Sequence, residues 1–227
     1  MLQDVRINGS LTINANNVTV RRVEVINGNI ENFAGSVCRT GLLLEDVSII
    51  RTTPSANAVQ AVGTGGYTAR RVKIDGMHEG FRVGGKSSCG PVTVEDSFVS
   101  IRPPSPCGDW HGDGLQGYDG GAVTVRNMVI LMDETGCGGT APWFYPSGQG
   151  NTSVDIDGLV VSGGGASFRN GMPGTVRNLH VVDGEWGYFP VDVNCSALTV
   201  WQADIVTLDA QGQPVFVRTL TCSGSGT

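Results

Sequence analysis

Two carboxylates, two imidazoles and a guanidinium stand at or beside matching points of short, similar segments in this 227-residue chain. The segments are Met77-His78-Glu79-Gly80-Phe81-Arg82 and His111-Gly112-Asp113-Gly114-Leu115-Gln116, with Ser55-Ala56-Asn57-Ala58-Val59-Gln60 as a third of the same form. Laid side by side as strands, they point Val59, Phe81 and Leu115 into a core. Gln60, Arg82 and Gln116 then make one outward row, and Asn57, Glu79 and Asp113 make another where the strands begin. Close carboxylates on neighbouring strands cannot both ionise cheaply, so one pKa should rise. The result is one acid and one base near neutral pH, the pair that cleavage of a glycosidic bond uses. Asp is also a common turn-capping residue, so either carboxylate can instead serve only to close a turn.

Other residues gather around this pair. His111 precedes Asp113 by two positions and is expected to shuttle a proton or act as an alternative base; His78 is offset from it by one. As a turn residue, His111 would do no more than bond backbone. Arg82, flanked by the two glutamines Gln60 and Gln116, is expected to anchor a sugar carboxylate or hydroxyls, or to pair with Glu79 or Asp113. Lys86, in the Gly84 to Gly90 loop, either reaches the same cleft or is solvated. Trp110, Trp143 and Tyr145 are expected to stack on sugar faces, with packing under a loop as the alternative for Trp143. Proline-rich residues 102 to 112 and residues 136 to 146 are expected to project as loops walling a groove, the kind of segment where functional groups concentrate.

The elements that must hold these groups come from a repeat. Val-Thr-Val followed by a polar pair recurs at Val18-Thr19-Val20-Arg21-Arg22, Leu42-Leu43-Leu44-Glu45-Asp46, Tyr67-Thr68-Ala69-Arg70-Arg71, Val92-Thr93-Val94-Glu95-Asp96 and Val123-Thr124-Val125-Arg126-Asn127. It continues at Val154-Asp155-Ile156-Asp157-Gly158, Gly174-Thr175-Val176-Arg177-Asn178 and Leu198-Thr199-Val200-Trp201-Gln202. The unit is 20 to 31 residues long and holds period-2 segments broken by Gly, Asn or Asp, with no helical period. Such units stack one on another. At about 3.3 Å per strand residue, one unit closes a three-sided coil. The expectation is an all-β, single-stranded right-handed parallel β-helix of about seven to eight coils. It spans residues 1–222 as one domain, with a flexible tail at 223–227. The expected core includes Val94, Val125, Ile156, Val176 and Val200.

The recurring coil and His111-Gly112-Asp113-Gly114-Leu115-Gln116 resemble the pectate-lyase-like β-helix superfamily over nearly the whole chain. That resemblance implies a carbohydrate-active protein, although the superfamily spans lyases, hydrolases, epimerases and phage tailspikes. His111-Gly112-Asp113-Gly114 looks like a variant of the Asn-Thr-Asp-Gly motif of polygalacturonases, whose adjacent Asp-Asp, Gly-His-Gly and Arg-Ile-Lys motifs are missing here. A polysaccharide is the expected partner, cleaved by acid/base hydrolysis or β-elimination. The alternative is a non-catalytic carbohydrate-binding or tailspike-like module.

Composition narrows the remaining classes. With 15 Lys+Arg against 21 Asp+Glu the net charge is -6, and no basic cluster exceeds a pair, so nucleic acid and anionic membranes are poor partners. No apolar run reaches the ~18 residues of a membrane span. No cofactor or metal is expected. Asp155-Ile156-Asp157-Gly158 is only a weak calcium signal, because calcium wants six to eight oxygens. The six cysteines are scattered with no Cys-x-x-Cys pair, which reads as disulfides in an oxidising compartment, with Cys107–Cys137 and Cys195–Cys222 as the preferred pairs. Secretion is therefore expected, with a virion surface as the alternative, although Met1 to Ala15 lacks the pattern of a signal peptide.

Overall fold

The computed structural model describes residues 1–34, 37–53, 59–85, 87–108, 110–133, 137 and 140–227. The chain is all-β and winds as a parallel β-helix whose strands stack into two long sheets. Up to Val176 each Val-Thr-Val block lies in register with the next, so one row of side chains runs inward through Val20, Leu44, Ala69, Val94, Val125, Ile156 and Val176. A second inward row on the same sheet is Val25, Ile49, Ile74, Val99, Ile130, Val161, Val181 and Ile205. The second sheet supplies a third: Ile30, Val62, Phe81, Leu115, Trp143, Phe168 and Val191. All of these side chains are buried. Burying each is worth roughly 1.5–3 kcal/mol, so three rows repeated coil after coil supply the dominant stabilisation.

The polar pair after each Val-Thr-Val block makes the corner between the two inward rows of the first sheet. Its first member points out, giving a row of alternating sign: Arg21, Glu45, Arg70, Glu95, Arg126, Asp157 and Arg177. Arg21–Glu45 at 3.0 Å and Arg70–Glu95 at 2.6 Å are two of its ion pairs. Its second member takes a left-handed backbone, with φ of 49° at Arg22, 55° at Asp46, 52° at Arg71, 49° at Asp96 and 54° at Asn127. Arg22 bonds Asp4, Arg71 bonds Asp46 and Asn127 bonds Asp96 across successive corners. Exposed pairs are worth only about 0–1 kcal/mol each, so this lattice sets register against slippage more than it adds stability. Asp155 and Asp157 belong to the same lattice, Asp155 with Arg126 and Thr175, and Asp157 with Asn178.

Three expectations are corrected here. Phe81 lies opposite Val62, with Glu79 opposite Gln60, so the coil holding Gln60 is slipped by three residues from the sequence alignment and Val59 is only half-buried. Asn57 lies outside the described residues. A register shift in the last coil puts Trp201, not Val200, opposite Val176, and the Trp201 indole donates to the Leu220 carbonyl at 2.9 Å. The tail is held rather than free: the Ser225 and Gly226 amides donate to Asp192 Oδ1 at 2.9 and 3.0 Å, and Val193 N–H donates to the Ser223 carbonyl.

Cys107–Cys137 and Cys195–Cys222 are disulfides, and Cys38–Cys89 is a third, with Cα–Cα distances of 5.7, 6.0 and 5.3 Å. Three such bonds point to an extracellular protein. Mass spectrometry of a non-reducing digest is expected to recover these three linked peptides, and free thiol at Cys107 and Cys137 would remove the case for an oxidising compartment. No helix among the described residues is long and apolar enough to cross a membrane.

Candidate functional site on the second sheet

The strands Glu79–Gly84 and Asp113–Tyr118 pair in parallel, with Phe81 opposite Leu115 and Arg82 opposite Gln116. Glu79 and Asp113 therefore begin neighbouring strands, as the sequence alignment expects. The glycine after each carboxylate explains the local geometry. A Cβ on Gly80 would sit 2.0 Å from the Gly114 carbonyl oxygen, and one on Gly114 would sit 2.1 Å from Ile130 Cγ2. Both glycines thus face the core, as do Phe81 and Leu115 after them. The break in alternation leaves Glu79 and Arg82 on the same outer side, where Arg82 donates to Glu79 Oε2 at 2.5 Å.

The two carboxyls meet different surroundings. Glu79 keeps 14% of its side chain exposed. Asp113 is buried, with one oxygen accepting from the Ala141 amide at 3.2 Å, while Oδ2 has no protein hydrogen-bond partner. Burial pushes the Asp113 carboxyl well above the usual carboxylate range; the Glu79 carboxylate adds to the rise, and Thr140, the Ala141 amide and Arg82 oppose it. Burial thus biases Asp113 toward its protonated form. Ala141 and Thr140 of the next coil close over it.

The outward row continues beyond the residues that the sequence picks out. From Gly63 it runs through Arg82, Gln116, Phe144, Arg169 and Asp192, one residue per coil. Arg169 lies 5.8 Å from the Phe144 ring centroid and forms an ion pair with Asp192 at 3.0 Å. Gln60 donates to Glu31 Oε2 at 2.8 Å, and Glu31 Oε1 accepts from Thr64 and from the Phe33 amide. Arg82 Nε and Gln116 Oε1, and likewise Asp113 Oδ2 at the start of the same strand pair, are buried without a hydrogen-bond partner. Three neighbouring residues thus share an unmet demand for hydrogen bonds.

Several expected site residues lie elsewhere. Trp143 and Tyr145 are fully buried, since Ala141–Tyr145 is a strand rather than a projecting loop. Trp143 stacks on Phe168 with centroids 5.6 Å apart, so neither ring can meet a ligand. Trp110 is buried as well, its indole N–H bonded to the His78 carbonyl at 3.0 Å. His78 is buried at the corner between the sheets, while His111 is exposed in the segment before Asp113. Lys86 lies outside the described residues. Phe144, Arg169 and Glu31 are the residues that sequence reasoning missed. Phe144 sits in the apolar run Ala141-Pro142-Trp143-Phe144-Tyr145, where the side facing out carries no polar marker. A cavity of about 470 Å³ lies on the first sheet, lined by Gly41, Leu43, Tyr67, Thr68 and Thr93 among others, and holds none of these carboxylates. No group of three or more His, Cys, Asp or Glu side chains placed to hold a metal occurs among the described residues.

Comparison with protein-family models, with curated proteins and with solved structures returns no match.

Proposed function

We propose that the outer face of the second sheet binds a polysaccharide laid along the axis of the helix. The observation that carries this reading is the outward row Arg82, Gln116 and Arg169, with the Phe144 ring buried beneath Arg169. Stacking repeats these groups about every 4.8 Å along a straight line. Guanidinia and an amide in line suit the hydroxyls of a chain of sugar rings, whereas a single small ligand would call for an enclosing cavity. The resemblance of the coil repeat to the pectate-lyase-like superfamily supports carbohydrate as the class.

A second reading, cleavage of the bound chain, draws on one specific observation: Asp113 is buried at the start of the strand beside Glu79, which raises its pKa. In that reading Asp113 supplies the proton to the leaving oxygen and Glu79 assists on the other side of the bond. The closure of Asp113 by Ala141 and Thr140 places this reading second, because the acid must be uncovered before it meets a glycosidic oxygen.

A panel of neutral and acidic polysaccharides, scored by retention in affinity electrophoresis, tests the first reading. At least one polysaccharide is expected to retard the protein. Arg82→Gln should weaken that retention about tenfold, as loss of a hydrogen bond to a charged group does. The same incubations, read for new reducing ends and for ultraviolet absorbance of unsaturated uronates, test the second. Turnover that disappears in Glu79→Gln and Asp113→Asn would make cleavage the better reading. Failure of every polysaccharide to retard the protein would end both.

A further inference from the structure

A pocket of about 230 Å³ opens at the corner where the first sheet hands over to the second, lined by Arg51, Thr52, Thr53, Gly76, His78, Arg102, Pro103 and Ser105. It uses none of the residues of the polysaccharide face. Two guanidinia and an imidazole line it, and no carboxylate does among the described residues. Arg51 Nε and His78 Nε2 are both buried there without a hydrogen-bond partner. Burial also draws the Arg51 guanidinium below its ordinary pKa, which marks a cation short of compensating charge.

The histidine's orientation narrows the ligand. Its Nδ1 lies 2.9 Å from the Arg102 carbonyl, which can only accept, so Nδ1 carries a hydrogen. In the neutral ring Nε2 is then an acceptor seeking a donor. Side chains on this pocket thus ask for negative charge at the arginines and for a donated hydrogen at His78. Sulfate, which carries no proton near neutral pH, supplies only the first; a neutral sugar supplies only the second.

The walls are built rather than loose. Asn27 ties one of them, accepting from the Thr52 amide at 2.9 Å and donating to the Thr52 hydroxyl at 3.1 Å. Arg51 and Arg102 are fixed through their backbone amides to the Asp75 and Met77 carbonyls. The segment after Arg102 is pinned five residues later by the Cys107–Cys137 disulfide. Gly76 takes a left-handed φ of 73°, and a Cβ there would come within 2.8 Å of the Arg51 carbonyl, so glycine lets the two strands of this wall close on each other.

We propose that this pocket binds an acidic sugar unit, its carboxylate against Arg51 and Arg102 and a neighbouring hydroxyl donating to His78 Nε2. Isothermal titration of the full chain with galacturonate, galactose and inorganic sulfate tests it. Galacturonate is expected to bind saturably, and galactose and sulfate at least tenfold more weakly. Arg102→Gln, a change at an exposed side chain, should weaken galacturonate at least tenfold with an unchanged melting temperature, and Arg51→Gln should do the same. Arg82→Gln, on the polysaccharide face, should leave this binding as it was, so the two sites fail or stand separately. Absence of galacturonate binding overturns the proposal, as does equal binding of galactose or indifference to Arg102→Gln. Sulfate binding as tight as galacturonate overturns the role given to the hydroxyl and His78.

Discussion

Trp143→Ala is expected to lower the stability of the fold by about 3–5 kcal/mol, the range for truncating a buried aromatic. The indole sits in the third inward row between Leu115 and Phe168 and is fully buried. It stacks on Phe168 at an interplanar angle of 14° and meets Tyr145 at 6.0 Å. A solenoid cannot easily collapse around such a gap. The coils above and below are held at one strand spacing by their ladders, so the cavity stays open and its cost is paid in full. Trp143→Phe should cost much less. It keeps most of the ring contacts and removes an indole N–H that is buried without a partner. Denaturant unfolding of the two variants checks both statements. A loss below about 1 kcal/mol for the alanine variant would mean that Trp143 does not belong to the core, and the register drawn for the second sheet would fall with it.

That same residue shows how far the sequence could be read. The first sheet was legible because Val-Thr-Val alternates with period 2 and its spacing is nearly constant; a strand with one polar and two apolar members has only one register that buries both. The Phe81/Leu115 register, and with it the pairing of Glu79 with Asp113, was legible instead from the shared carboxylate-Gly-apolar-polar form of Glu79-Gly80-Phe81-Arg82 and Asp113-Gly114-Leu115-Gln116. Ala141-Pro142-Trp143-Phe144-Tyr145 carries no alternation, so nothing in it says that Trp143 and Tyr145 face in and Phe144 out. Only the count from the paired Asp113 and Ala141 decides this, and that pairing is a tertiary fact. The slip in the coil of Gln60 has a similar origin. Val59 and Val62 are both valines near Gln60, and the small residues before them leave either free to take the inward position. The alternating charges of the corner were in plain view as Arg21, Glu45, Arg70 and Glu95, yet their meaning depends on knowing that successive coils place them one strand apart. Burial of Asp113 was the least legible feature, because it is produced by a loop from the following coil, 27 residues on at Thr140.

Asp113→Asn is expected to stabilise the protein increasingly as the pH rises above about 4, the ordinary carboxyl pKa. In the folded chain burial, reinforced by Glu79, holds the Asp113 pKa well above that value. Between the unfolded and the folded pKa the native state therefore binds more protons than the unfolded state. Stability then falls as the pH rises, by about 1.4 kcal/mol for each pH unit of the interval, and levels off once the folded carboxyl has ionised. Below the unfolded pKa both states are protonated and this site contributes nothing to the pH dependence. Asparagine is neutral throughout and of nearly the same shape, and its side-chain carbonyl can still accept from the Ala141 amide. The difference in melting temperature between Asp113→Asn and the parent should thus be small at pH 4 and grow toward neutrality, always in favour of the variant. Glu79→Gln should flatten part of the parent's slope by removing the nearby negative charge, which separates the Coulombic contribution from burial. A variant that is less stable than the parent at pH 7 would show that Asp113 is held ionised by partners strong enough to outweigh its burial. The acid of the cleavage reading would then be lost, while the row of Arg82, Gln116 and Arg169 would still offer its face to a polysaccharide.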